Sequence, residues 1–261
     1  MIFLENEIFF GCNYFYSSDW GSLVDDIKVG WDKGYVITDI DYGDGVWLVV
    51  MSQVHRQHKQ YIFTSRYFPE EEIKKSWKKN RWVTSITYDG VDWICVTTEM
   101  YTYCNQEYIV GSWNDCIDCV KKAWRSNRNI TSITCKGGTY VFICSEFSSD
   151  MLLQQELNVL RSSDVTPKKI YDKCISGDRV ITDMFNMCGD LVVITSRTEN
   201  SSAQRMFSVS TENIRRLCYE PNEAFYNISA VAYFKGRWIF NYRYNRHYDV
   251  IAEAEERGRK G

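Results

Sequence analysis

Short apolar blocks separated by polar turns run along this chain, and they recur at an almost constant interval. Aligning the first block of each recurrence gives Ile37-Thr38-Asp39-Ile40, Val83-Thr84-Ser85-Ile86, Ile130-Thr131-Ser132-Ile133, Ile181-Thr182-Asp183-Met184 and Ile228-Ser229-Ala230-Val231, spaced by 46, 47, 51 and 47 residues. A second landmark ten residues on, Trp47, Trp93, Tyr140, Leu191 and Trp238, keeps the same four intervals. A third precedes each block as Ile27 and Trp31, Ile73 and Trp77, Val120 and Trp124, Ile170 and Cys174, Ile214 and Cys218. Residues four apart share one face of a helical turn. Each unit therefore predicts a short helical turn, a strand, a tight turn, a second strand, a polar loop and a third strand. Tyr42-Gly43-Asp44-Gly45, Tyr88-Asp89-Gly90 and Lys136-Gly137-Gly138 are hairpin signals. Third strands are expected at Gln60–Phe63, Glu107–Val110, Leu157–Leu160, Met206–Val209 and Tyr248–Ile251.

Antiparallel units of about 40–50 residues, each crossing to the next, are the pattern of propeller blades. The fold class expected is all-β, a β-propeller of five blades, alternatively six, with short helical turns between them. The repeats run about 27–72, 73–119, 120–169, 170–213 and 214–252 within one domain. The segments Glu7–Phe10 and Asn13–Tyr16 are expected to complete the last blade or to begin a sixth, and 253–261 reads as a polar tail.

Composition sharpens this picture in two places. The 261 residues include 18 Tyr, 13 Phe and 9 Trp but only 3 Pro, an aromatic enrichment that suits strands. The ten Cys fall on apolar strand positions (Cys95, Cys144) or where other repeats carry Trp (Cys174, Cys218), so they read as small buried hydrophobes rather than a disulfide framework. The start of the chain has no basic leader, and no apolar run reaches a spanning length, so a reducing, cytoplasmic setting is expected.

The residues Trp31 to Ile40, in the pattern Trp-x-x-Gly-Tyr-x-Ile-Thr-x-Ile, and Gly45 to Ser52, in the pattern Gly-x-Trp-x-Val-Val-x-Ser, carry a resemblance. They resemble the uncharacterised repeat region that follows the kinase domain in plant casein-kinase-I-like kinases, and similar repeats in bacterial proteins. The resemblance implies a propeller-like interaction module with no known reaction. Period and blade count are also similar to tachylectin-type five-bladed lectins, although no sugar-site motif carries over.

The formal net charge of −3 excludes a generally polybasic protein and argues against nucleic acid as a partner. Charge is nevertheless uneven. Two residues ahead of each aligned block stand Tyr35, Arg81, Arg128, Arg179 and Tyr226, which in a propeller would ring the mouth of the central channel. The linkers of the second and third repeats add Lys74, Lys75, Lys78 and Lys79, then Lys121, Lys122 and Arg125. A singly charged anion about 8 Å from one such cation gains roughly 2 kcal/mol at an effective dielectric of 20, against the roughly 8 kcal/mol of micromolar binding. The competing reading pairs the three Arg with neighbouring acids.

Cys116-x-x-Cys119 lacks a second pair to complete a metal site. Asp39 and Asp183 suggest a small polar cluster inside the ring, more as hydrogen-bonded structure than as catalysts. Asn129 and Asn227 begin sequons but fall in inner strands. No phosphate loop, nucleophile elbow or dinucleotide fingerprint is present, and no cofactor or metal is expected. The leading expectation is a non-catalytic module that binds a protein through its basic face. The alternative is a small anionic ligand such as a nucleotide, or a sugar, at the channel mouth; a hydrolase using Asp39 and Asp183 ranks last.

Overall fold

Alternation within each block, and a Gly or Asp turn after it, makes the first two strands of every repeat a hairpin. The computed structural model describes residues 9–54, 58–100, 103–147, 154–175, 178–197, 203–214 and 226–244. They begin with β1 (Phe9–Ser17), α1 (Trp20–Asp32), β2 (Tyr35–Gly43), β3 (Val46–Val54) and β4 (Gln60–Ser65). Next come α2 (Glu70–Trp77), β5 (Arg81–Tyr88), β6 (Trp93–Glu99) and β7 (Tyr103–Gly111). The third repeat gives α3 (Trp113–Arg125), β8 (Arg128–Lys136), β9 (Thr139–Phe147) and β10 (Glu156–Leu160). The fourth gives α4 (Pro167–Cys174), β11 (Arg179–Met187), β12 (Asp190–Arg197) and β13 (Gln204–Val209), and the fifth β14 (Tyr226–Phe234) and β15 (Arg237–Tyr244). No helix among the described residues is long and apolar enough to cross a membrane.

The strands make five three-stranded antiparallel sheets, in the orders β1-β3-β2, β4-β6-β5, β7-β9-β8, β10-β12-β11 and β13-β15-β14. The sheet is thus offset from the sequence repeat. The third strand of each of the first four repeats leaves its own hairpin and pairs with the middle strand of the next. This corrects the expectation for the N-terminal segment: β1 is the outer strand of the first sheet, pairing with β3, and neither completes the last sheet nor starts a sixth. The reason is that every middle strand has one free edge, which only a strand from outside its hairpin can fill. The candidate third strand at Tyr248–Ile251 lies outside the described residues.

The linkers are more than single turns. α1 and α3 each have 13 residues, capped by Asp19, whose carboxylate accepts the Ser22 N–H at 2.8 Å, and by Ser112. α2 follows Pro69 with three acids in its first turn. The landmark residues Ile27, Ile73, Val120, Ile170 and Ile214 are all fully buried. Left-handed residues stop the first three helices just before the inner strand, at Gly34, Asn80 and Asn127. They also form the hairpin turns, including Cys188-Gly189 and Lys235-Gly236, which the sequence signals had not marked.

Packing joins consecutive sheets. Ile37 and Val49 of the first sheet share a cluster with Ile94 and Val96 of the second. Val83 and Cys95 meet Val141 and Ile143 of the third, and Phe142 and Cys144 meet Val192 and Ile194 of the fourth. Leu191 and Val193 meet Ala230 and Ile239 of the fifth, while Val231 and Phe240 return to Leu48 and Val50 of the first. The middle-strand landmark is buried in every sheet, with Trp47 set between Trp20 and Tyr42 at centroid distances of 4.9 and 4.6 Å. Burying such an aromatic stabilises by roughly 3 kcal/mol.

A second, polar device holds the same joints. The buried Gln60 accepts hydrogen bonds from Trp31 Nε1 (3.1 Å) and Ile37 N (2.6 Å) and donates to Ile37 O (2.9 Å) and Thr98 Oγ1 (3.0 Å). Gln106 does the same for Trp77, the backbone of Val83, and Ser145. Gln155 repeats it for Trp124 and the backbone of Ile130. Gln204, where the Trp has become Cys174, takes Ile181 N and Asn241 Nδ2 and donates to Arg179 O. Each Gln sits on, or for Gln155 just before, the outer strand of one sheet and clamps the inner strand of the one before. Replacing Gln106 by Leu orphans two buried backbone groups and an indole N–H. It should lower unfolding stability by about 3 kcal/mol, read from urea denaturation, whereas Thr64→Ala on the exposed side of β4 should stay within about 0.5 kcal/mol. Equal effects would show that the clamp carries no stability.

Candidate functional site

The inner strands β2, β5, β8 and β11 each skip one residue in their pairing, at Thr38, Thr84, Thr131 and Thr182, and β14 does so at Ser229. These hydroxyls are buried and bond inward to the middle strand, as Thr131 Oγ1 does to Ile143 O at 3.3 Å. The bulge turns the residues that follow it toward a common space. That space is a narrow polar passage lined by Asp39 and Asp41, Ser85 and Thr87, Ser132 and Thr134, and Asp183, with about 20 Å³ free, room for a water or so.

The acids expected to cluster do so, and Asp41 joins them. Asp39 accepts the N–H of Ile40 with Oδ1 and of Val231 with Oδ2, both at 2.9 Å. Asp41 accepts from Tyr42 N and Tyr233 N, both at 2.8 Å. Asp183 Oδ1 accepts from Met184 N at 2.8 Å. Ser132 bridges the second and third sheets in the same manner, its Oγ accepting from Ile86 N at 3.0 Å. Protein encloses all three carboxyls, and burial pushes their pKa values up: Asp39 above the usual range, Asp41 to about 7, and Asp183 well above, with repulsion from Asp39 adding to the last. Two of the three acids have both oxygens engaged on backbone amides. The arrangement can hold and share protons, and it admits nothing much larger than water. Among the described residues, no group of three or more His, Cys, Asp or Glu is placed to hold a metal ion.

The three Arg open their inner strands as anticipated, and each meets an acid. Arg81 Nε lies 3.0 Å from Glu99 and its Nη2 donates to Tyr61 Oη at 2.6 Å. Arg128 reaches Glu107 at 3.1 Å and Glu146 at 4.0 Å. Arg179 pairs with Glu156 at 2.6 Å and donates to Gln154 O. Glu99 and Glu146 are the cross-strand neighbours of Arg81 and Arg128; Glu107 and Glu156 follow the clamp glutamines on outer strands. Tyr35 is half-buried beside the cleft of the first joint; Tyr226 begins β14.

On the helices, Lys74 pairs with Glu70 and Lys121 with Asp118. Lys75, Lys78, Lys79, Lys122 and Arg125 are exposed, with no ion pair among the described residues. Lys74, Lys75 and Lys78 line an open cleft of about 460 Å³ with Trp77. Lys121 lines one of about 410 Å³ with Trp124, Gln155 and Leu157. A third of about 570 Å³ lies at Trp31, Gln60 and Lys59. Helical Trp and Lys residues share one cleft at corresponding places in successive repeats. The missing signal was the Gln at or near the start of the outer strand, which at Gln60, Gln106 and Gln155 fixes the Trp edge.

Among known families, the model of a domain of unknown function, DUF7477, matches residues 4–182. No curated protein matches the chain.

The carboxyl cluster has a consequence for stability. Asp41 and Asp183 have pKa values in the folded protein above the roughly 3.9 of an unfolded Asp, so between those limits the folded state binds more protons. The contribution of each is fully present below about pH 4; that of Asp41 is lost as pH rises through about 7, and that of Asp183 as pH rises toward its own raised pKa. Asp183→Asn should flatten the fall of Tm between pH 5 and pH 8 and raise Tm at pH 8 more than at pH 5. Parallel Tm curves for variant and wild type would show that Asp183 does not titrate in this range.

Proposed function

The chain belongs to the DUF7477 family, and for this member we propose a non-catalytic, five-bladed β-propeller that binds an acidic segment of a partner protein across α2 and α3. Five similar sheets whose packing passes from each to the next and from the fifth back to the first support the propeller. Five blades fit better than six because β1 is used within the first sheet. The observation that carries the binding reading is the recurrence of a Trp-edged, Lys-lined cleft on neighbouring repeats. At Trp77 the unpaired Lys75 and Lys78 beside an amphipathic ring offer charge steering and an apolar contact together, and on α3 the exposed Lys122 and Arg125 add charge near the Trp124 cleft. Glu partners on Arg81, Arg128 and Arg179 weigh against a small anion at the channel mouth. The narrow passage, with its acids committed to backbone amides, weighs against a hydrolase.

The test uses a fluorescein-labelled peptide of Glu residues interspersed with Phe, titrated against the full chain. Binding that weakens as salt rises, and at least tenfold on combined Lys75→Glu, Lys78→Glu, Lys122→Glu and Arg125→Glu, is the expected result. Trp77→Leu should weaken it further without changing the salt slope. Affinity indifferent to both salt and charge reversal would end the proposal.

A further inference from the structure

Cys135 lies near the end of β8, opposite Tyr140 in the hairpin pairing. Cys188 occupies the tight turn between β11 and β12, held at a positive φ of 47° and bridged to Asp190. The joint between the third and fourth sheets brings these turns together: Tyr140 meets Phe185 edge to face at 6.4 Å, and Cys135 and Met187 flank the same apolar cluster. Cys188 directly follows Met187, so the two thiols belong to turns that pack on each other at this joint, and Cys188 is among the groups acting on both the Cys135 and Tyr140 side chains. Cys188 is exposed and Cys135 half-buried behind it. Both are free thiols, and neither has a role in the clamp or the clefts described above.

We propose that Cys135 and Cys188 form a reversible thiol-oxidation site, closing to a disulfide between the third and fourth sheets when the protein meets a low-molecular-weight disulfide such as oxidised glutathione. The exposed Cys188 thiolate attacks one sulfur of the oxidant RSSR, the S–S bond of the oxidant breaks, and one RS⁻ leaves. The Cys135 thiolate then attacks the Cys188 sulfur of the mixed disulfide and expels the second RS⁻. Two protein thiols lose two electrons, RSSR is reduced to two RSH, and the two thiol protons end on the released thiols. The order follows from exposure. Burial pushes the Cys135 thiol up to about 12, with the neighbouring Cys188 charge and hydrogen bond adding to it, so it is the poorer first nucleophile. Capping Cys188 removes those two added causes and eases the second step. Closure spans a long loop of the chain and constrains the unfolded state accordingly.

Trypsin releases residues 129–136 and 180–197, each with a single Cys, so the pair can be read directly. Full-length protein treated with oxidised glutathione at pH 8 and digested without reduction should yield these two peptides disulfide-linked. The link should disappear on dithiothreitol treatment, form faster as pH rises, and raise Tm by at least about 3 °C. Cys135→Ser should stop the reaction at a glutathione adduct on Cys188. Cys104→Ser with Cys119→Ser, removing two other exposed thiols, should leave the link unchanged. A stable glutathione adduct on Cys188 of the wild type, linkage of either peptide to another Cys, or two unreacted thiols would each overturn the proposal.

Discussion

The inner strand of each sheet is an edge strand buried inside the molecule, and that constraint organises everything else. Its far side faces the passage and the next sheet, where no strand is present to take its N–H and C=O groups. A buried, unpaired backbone group costs about as much as a lost hydrogen bond, and five such edges would undo much of the gain from packing the sheets. The molecule answers with side chains sent across the joints. A Gln from the following sheet takes both the N–H and the C=O of Ile37, Val83 and Ile130, and Asp39, Asp41 and Ser132 take amides nearer the passage. Because each Gln also accepts the indole N–H of a helical Trp, the joint, the linker helix and the cleft beside it form one unit. Binding chemistry on the helices therefore rests on the same bonds that hold the sheets.

How much of this was visible in the sequence depends on the distance over which each feature is encoded. The hairpins and their buried landmarks were legible because turn and strand residues lie within one repeat, at fixed offsets. Strand exchange was not: nothing within a repeat distinguishes a third strand that folds back from one that moves on, and only the free edge of the middle strand decides it. For the same reason Gln60, Gln106, Gln155 and Gln204 passed as ordinary polar strand residues, since their partners lie in the preceding repeat. The three Arg show the limit for charge. Arg81 and Glu99 are 18 positions apart, and local counting of acids cannot find a partner that the register places directly opposite. Asp39 and Asp183 were found as a pair because they occupy the same repeat position; Asp41, one step further along, was overlooked, since its counterparts are Thr87, Thr134, Phe185 and Ala232.

The joint between the fifth sheet and the first departs from the other four in losing its Gln. Where the other joints have Gln, the position opposite Ser52 holds Cys12, whose thiol contacts Ser52 and the Ile228 backbone and is pushed up to about 11 by burial. One thiol cannot replace the two strong hydrogen bonds that a carboxamide makes to one residue's backbone. At this same joint Asp39 and Asp41 reach across to Val231 and Tyr233, and Gly43 leaves space that the Tyr233 ring fills, at a position where even a Cβ would lie 2.0 Å from it. Fixed carboxylate acceptors give bonds of about 1.5–3 kcal/mol, enough to offset a missing clamp. Their cost is the burial of charge, eased where a carboxyl takes up a proton. Asp39 and Asp41 are thus explained by the joint they close. An active-site reading of the same residues has to account for why two of them spend both oxygens on backbone amides. The unpaired cations of α2 and α3 carry no such structural duty: nothing in the sheets uses Lys75, Lys78, Lys122 or Arg125, and a charge that structure does not need is the better place to look for a partner.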